Sequence, residues 1–210
     1  MATEYDAADV AAAMRRVAAA LKSHQAELTE LDQNVGDGDL GVTAVKLAEA
    51  LETAAAGQPA SGDLGKLLGQ TGIAVNRAAP STMGTLVATA LMQAGKAAMG
   101  KTSLAVTDLP LLLAAATTGI QTRGKANLGD KTILDVLHPA SEALASALKG
   151  GQPLTGAGEA MLAAAREGRD RVTPLRNKIG RAGWLGERTE GKVDPGCGFA
   201  VVVLTALASP

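Results

Sequence analysis

Apolar residues recur at three- and four-residue spacing along most of this chain, and that spacing constrains its fold more than any other feature. Val10, Met14, Val17 and Leu21 form one such row, and Leu109, Leu113, Ala116 and Ile120 form another. Residues so placed share one face of a helix. The intervening positions are rich in Ala, Leu, Glu, Lys and Gln, all good helix formers, and poor in β-branched and aromatic residues. Breakers divide the pattern into eight segments, near 6–32, 40–56, 61–77, 81–98, 107–124, 130–148, 153–172 and 196–208. Ser61 and Ser81 are placed as N-caps, and Asp130 and Thr155 stand close to two further helix starts. Pro139 predicts a kink in the sixth segment. The strand-like run Ala200 to Val203 is too isolated to propose a sheet. The prediction is an all-α fold of eight helices in one domain, 1–210, and the short connections favour antiparallel, up-and-down neighbours.

Composition narrows the function. Charged residues make up 20% and the formal net charge is -1, so no basic field is available for nucleic acid or anionic lipid. Aromatics at 1% exclude base-stacking platforms. One cysteine forbids an internal disulfide and suits a reducing compartment. Two histidines and one cysteine do not build an ordinary zinc site, so metal chemistry must run on carboxylates. Met1 to Val10 is acidic and polar, unlike a signal peptide. The longest apolar runs, Leu109 to Ala116 and Phe199 to Leu204, fall well short of the roughly 20 residues that span a bilayer. A cytoplasmic protein with no nucleic-acid or membrane partner is expected.

Alternating helices send the connections after the first, third, fifth and seventh segments to one end. Those connections hold Asp32 to Gly41, Asn76 to Ser81, Gly124 to Thr132, and a long Gly- and charge-rich stretch over 173–195. The other end receives bland turns around Gly57, Gly100 and Gly150. Long irregular loops inside a domain are usually functional. One rim is therefore the expected place for a polar site.

Asp32, Asp37 and Asp39, with Gly36, Gly38 and Gly41, are the sharpest constellation. Three carboxylates so close together repel one another unless a cation sits among them, and Mg²⁺ takes oxygen ligands that it shares with phosphates. A solvated Asp/Gly turn is the alternative. No frame supplies an EF-hand. Gly36 to Gly41 also fits G-x-G-x-x-G, but no strand precedes it and acids fill the gaps. Gly95 to Thr102 fits the Walker A pattern, yet a helix runs into it and a loop runs out, the reverse of a P-loop. Its rival claim on nucleotide chemistry rests on Lys101. Gly129-Asp130-Lys131-Thr132 opens a helix and suits either an anion or plain capping by Asp130, with Asp135 solvated or paired. Lys178, Arg181, Arg188 and Lys192 stand among glycines before Asp194-Pro195-Gly196, as a phosphate clamp or a charged surface loop. Trp184 caps a pocket or pins that loop. Cys197 and His138 read as small structural roles, and Met83, Met92 and Met99 as helix packing.

Taken together, Leu31-Asp32, Val35-Gly-Asp-Gly-Asp39, Gly129-Asp-Lys-Thr132 with Asp135, and Gly180-Arg-Ala-Gly-Trp-Leu-Gly-Glu-Arg188 with Asp194-Pro-Gly196 resemble the nucleotide-binding L subunits of dihydroxyacetone kinases. The resemblance implies a closed barrel of eight antiparallel helices with ADP or ATP and two Mg²⁺ ions at one rim. By the same resemblance, Asp32, Asp37 and Asp39 hold the metal. Leu40, Gly41, Val42, Thr43, Ala78, Ala79, Gly124, Ile133, Arg181, Asp194, Pro195 and Gly196 contact the nucleotide, with Arg181 also serving catalysis. A K-type partner subunit would hold a short ketose, and a phosphotransferase-system protein is a candidate phosphoryl donor. A homodimer is one assembly the resemblance allows. Two departures stand out: Leu40 replaces the family's usual His, and Asn76 to Ser81 replaces a Gly-Gly-Ala-Ser-Gly type loop. They admit a divergent member acting on a four-carbon ketose such as erythrulose, or a non-catalytic nucleotide-binding regulator.

Overall fold

The computed structural model describes residues 4–57 and 62–209. Helices follow the apolar spacing: α1 (Ala7–Ser23), α2 (Gln25–Val35), α3 (Leu40–Ala56), α4 (Leu64–Ala78), α5 (Thr82–Ala97), α6 (Leu109–Gly124), α7 (Leu134–Lys149), α8 (Leu154–Val172), the single turn α9 (Gly180–Gly183) and α10 (Pro195–Ala208). Two residues of extended chain, β1 (Glu4–Tyr5), pair antiparallel with β2 (Leu104–Ala105), and these form the only sheet among the described residues. The run Ala200 to Val203 lies inside α10. The all-α expectation is met.

Several boundaries differ from expectation, each for a local reason. The first segment divides at His24, whose backbone leaves helical geometry (φ -99°, ψ 14°) while its amide and ring nitrogen both engage the Ala20 carbonyl. Ser61, expected to cap α4, lies outside the described residues. Asp63 caps that helix by accepting from the Lys66 amide at 3.1 Å. Ser81 caps α5 as expected, accepting from the Gly84 amide. Thr155 caps nothing, because α8 begins after Pro153 without a side-chain cap. The sixth segment starts at Leu134 rather than at 130. Asp130 instead turns back to the Asn127 amide, and the Asp135 carboxylate gathers the amides of Gly129 and Thr132. Helix α7 runs unbroken through Pro139, which leaves the Asp135 carbonyl without its helical donor. Gly168 of α8 packs against that carbonyl, where a Cβ would lie 2.2 Å away.

Each large helix packs on its chain neighbour, and α10 packs on both α8 and α1, so the sequence of contacts returns to its start. Small side chains make the packing close: Ala18, Ala44, Ala48, Ala140, Ala157 and Ala165 are fully buried beside Leu21, Leu28, Leu47, Leu64, Leu134 and Leu204. Between α4 and α5 the backbones themselves touch, since a Cβ on Gly95 would lie 2.7 Å from the Gly65 carbonyl. Interiors so dense yield little, and loops seated on them are held firmly. No described helix is long and apolar enough to cross a membrane.

The loops at one end meet. The Thr43 hydroxyl of α3 lies 3.5 Å from Ser81 before α5, Gly124 at the end of α6 faces Leu86 of α5, and Gly196 at the start of α10 faces Ile133 before α7. Arg181 pairs with Asp37, tying α9 to the α2–α3 loop. At the far end the Leu64 amide donates to the Lys101 carbonyl.

Candidate metal and phosphate site

Asp32 sits in the last turn of α2, and Asp37 and Asp39 in the loop that reverses the chain into α3. Gly36 lets the loop fold over Asp32, because a Cβ there would meet the Asp32 carboxylate at 2.3 Å. Gly38 takes a left-handed backbone (φ +78°) that other residues adopt only with strain. The turn brings carboxylate oxygens of Asp32, Asp37 and Asp39 within 4.8 Å of one another. Asp32 Oδ2 accepts the Leu40 amide at 3.0 Å, which fixes its orientation and leaves Oδ1 for another partner. This all-oxygen donor set, half-buried at Asp32 and exposed at the other two, fits a hard divalent cation.

Positive charge and free amides adjoin the carboxylates. Arg181 pairs directly with Asp37 and stands 3.8 Å from Asp39. The Thr43 amide bonds back to the Asp39 carbonyl, and the Leu40 amide is taken by Asp32. In the first turn of α3, the Gly41 and Val42 amides have no acceptor among the described residues. Amides there carry the positive end of the helix dipole and suit an anion.

The loop that carries Arg181 is held by a residue whose part the sequence does not show. Lys131 has a left-handed backbone (φ 61°) and a side chain shut off from solvent. Its Nζ donates to the carbonyls of Thr173, Leu175 and Thr189 at 2.8, 2.8 and 2.6 Å. Loss of solvent holds this ammonium below its ordinary range, opposed by the nearby Asp194 charge. Asn177 adds a second tie, donating from Nδ2 to both the Lys131 carbonyl and Asp194 Oδ2 at 2.8 Å. Lys192 completes the attachment by donating to the Asn34 carbonyl beside the acidic loop.

The remaining expected residues divide between open and enclosed positions. Val42 is exposed; Leu40, Gly41, Thr43, Ala79, Ile133, Pro195 and Gly196 are buried at the inner edge of the rim. Ala78 and Gly124, both exposed, end α4 and α6 at the same rim. The Asp194 carboxylate turns inward, capping α10 through the Cys197 amide, and burial pushes its pKa up. The Cys197 thiol donates to the Thr132 carbonyl at 3.1 Å, and burial raises its pKa too, which suits an inert structural thiol. His138 lies beside Glu142 on α7, its Nδ1 3.5 Å from the Glu142 carboxylate. The Walker-like segment forms no phosphate loop: Gly95 is packed inside α5, and Lys101 Nζ pairs with Asp108 at 2.7 Å at the opposite end.

Fold and rim together define an all-helical domain that gathers its polar chemistry in loops at one end. More particularly, residues 34–209 match the DAK2 domain, and the chain belongs to that family. It is 30% identical over 185 residues, 86% of each chain, to the ADP-binding subunit DhaL of the PEP-dependent dihydroxyacetone kinase of Escherichia coli. It is 35% identical over 191 residues to the D-erythrulose kinase of Mycolicibacterium smegmatis, covering 89% of this chain and 32% of that one. Among solved structures, the dihydroxyacetone kinase of C. freundii superposes with a TM-score of 0.74 at 26% identity, covering 99% of this chain and 36% of that kinase. Its complex with AMP-PNP and Mg²⁺ superposes with a TM-score of 0.69, again at 26% identity, over 95% of this chain and 33% of the kinase. This chain thus spans about a third of these two longer kinases.

Proposed function

We propose that this chain is the magnesium- and nucleotide-binding subunit of a dihydroxyacetone-type kinase, a cytoplasmic phosphotransferase component that delivers a phosphoryl group to a short ketose held on a K-type partner. The observation that carries this reading is the convergence of Asp32, Asp37 and Asp39 within 4.8 Å, beside Arg181 and the free amides of α3. Asp32, Asp37 and Asp39 would hold Mg²⁺, two ions on the family resemblance, and the metal would neutralise charge on the phosphates. The chain's own work is positioning, which dominates catalysis of phosphoryl transfer. Leu40 orients the Asp32 carboxylate through its amide. Gly41 and Val42 would offer amides to phosphate oxygens, with Thr43 beside them. Ala78, Ala79, Gly124 and Ile133 would line the nucleotide, and Asp194, Pro195 and Gly196 would close the rim at α10. Arg181 would exchange part of its pairing with Asp37 and Asp39 for the phosphate, balancing its charge.

The PEP-dependent relative with its ADP-binding subunit supports ADP that stays bound and is rephosphorylated in place by a phosphotransferase-system protein. Exchange of ATP at each turnover is the competing form. Likeness to a D-erythrulose kinase favours a second reading, in which the acceptor is a four-carbon ketose. Calorimetry with Mg-ADP and Mg-ATP on protein stripped of nucleotide tests the core of the proposal: absence of binding to either would sink it. Nucleotide retained through purification supports rephosphorylation in place. Assays with a K-type partner on dihydroxyacetone and on erythrulose separate the two acceptors, and transfer to either eliminates a purely regulatory role. Light scattering during gel filtration distinguishes a homodimer from a single copy.

A further inference from the structure

The sequence contains one Trp, one Tyr and one Phe, and the fold treats them unequally. Phe199 is buried in the core and Tyr5 packs against that core. Trp184 is 92% exposed. It neither pins its loop nor caps a pocket among the described residues; its backbone amide donates to the Arg181 carbonyl while the indole faces water. An indole is among the largest apolar surfaces a side chain offers, and leaving it in water forgoes the stabilisation that burial gives.

The backbone that carries Trp184 is nevertheless well fixed. Trp184 closes the α9 turn, and Gly183 within that turn packs on the Lys178 backbone. On either side, Lys131 fastens the loop through the carbonyls of Thr173, Leu175 and Thr189. One turn earlier, Arg181 reaches Asp37 and Asp39. Exposed Lys178, Arg181, Glu187 and Arg188 all stand within six residues of Trp184, so charged side chains border the indole along the chain. That is the composition of an interface anchor, with an apolar hot spot inside a polar rim.

We propose that Trp184 is the anchor on which the ketose-carrying K-type subunit docks, inserting the indole into an apolar cleft of that partner. The proposal rests on the functional reading above, which requires the acceptor hydroxyl to be brought to the rim at Asp37 and Asp39. A protein that approaches that rim meets Trp184 one helical turn from Arg181. Docking there would place the acceptor beside the phosphates and bury an aromatic surface that this chain leaves bare.

Trp184 is the sole tryptophan of this chain, so once the partner's own emission is subtracted its fluorescence reports the event. The test uses the intact chain and a K-type subunit with which the wild type transfers phosphate. Adding that subunit should shift the emission to the blue, whereas Mg-ADP alone should leave it unchanged. Trp184→Ala should weaken binding of the subunit by on the order of thirty-fold or more, the scale of an interface hot spot. Trp184→Phe should recover part of the loss. Affinity for Mg-ADP, and the transfer rate at saturating partner, should match wild type. A blue shift with Mg-ADP alone, or unchanged partner affinity in Trp184→Ala, overturns the docking proposal and leaves the kinase reading standing. Failure of the wild type to transfer phosphate with any K-type subunit removes both.

Discussion

Two segments of this chain spell a phosphate-binding pattern, and the fold gives them opposite fates. Gly36 to Gly41 joins two helices through an open turn, gathers three carboxylates and leaves the Gly41 and Val42 amides unpaired among the described residues at the start of α3. Gly95 to Thr102 begins as helix: Gly95 lies against the α4 backbone, and the Lys101 charge is met by Asp108. Phosphate recognition depends on backbone amides that no other group has claimed. The first segment begins a helix and keeps such amides; the second ends a helix, where carbonyls rather than amides are left over. The letters of a motif therefore matter less than which end of a helix they occupy.

The sharpest way to break this contrast is to remove one carboxylate. Even an outer-shell partner of a metal site costs about 10–100-fold in affinity when lost, so Asp37→Asn should lower Mg-nucleotide affinity by about a hundredfold or more. Circular dichroism should stay unchanged, because Asp37 is exposed and outside any helix. Calorimetry showing wild-type affinity in that variant would falsify the metal assignment. Lys131→Met comes next. It strips the donor from three carbonyls enclosed in the loop and should cost about 3 kcal/mol, seen as a lower urea midpoint. Nucleotide affinity should fall with it, since Arg181 sits on the released loop; a stable variant with full affinity would show that the clasp does not position the site.

Two smaller changes probe the opposite end. Gly95→Ala forces a methyl into the α4 backbone and should destabilise by about 1–3 kcal/mol in thermal unfolding, with Mg-nucleotide affinity retained. Lys101→Ala removes a partly exposed ion pair and should change stability by no more than about 1 kcal/mol, an effect that added salt diminishes. If Lys101→Ala abolished nucleotide binding while Asp37→Asn did not, the two segments would have to trade roles.

Much of the architecture is legible in the sequence because burial follows the helical period. Val17 and Leu21, or Leu47 and Leu51, turn inward where the spacing places them. The rim is legible too, since alternation alone sends its loops to one end. What the sequence conceals has local causes. The division at His24 carries no Gly or Pro; it depends on a ring nitrogen that competes for the Ala20 carbonyl. The late start of α7 depends on Asp135 folding back on the Gly129 and Thr132 amides, a choice between helix and turn that residue type does not decide. Nothing in the sequence marks Lys131 for burial, because lysine is almost never buried alone. Only the distant carbonyls of Thr173, Leu175 and Thr189 explain it, and no spacing rule connects residues so far apart. The acidic triad is visible as a cluster of letters, while the ion pair that ties Asp37 to Arg181 requires the fold.

The closure of α10 on α1 has a consequence for how the chain can be tethered. Helix α10 starts at the rim and runs away from it along α1, where Arg16 Nε donates to the Ala206 carbonyl. The adjacent Arg15 reaches the Ala55 carbonyl at the end of α3 that is remote from the acidic loop. Glu4 and Tyr5, before α1, pair with Leu104 and Ala105, close to Lys101 at that same remote end. The first and last described residues thus both lie away from the rim. A fluorescent protein, a surface anchor or a second catalytic module could be spliced on at either side without crossing the acidic loop, which leaves the rim clear for reagents and partners in an immobilised assay.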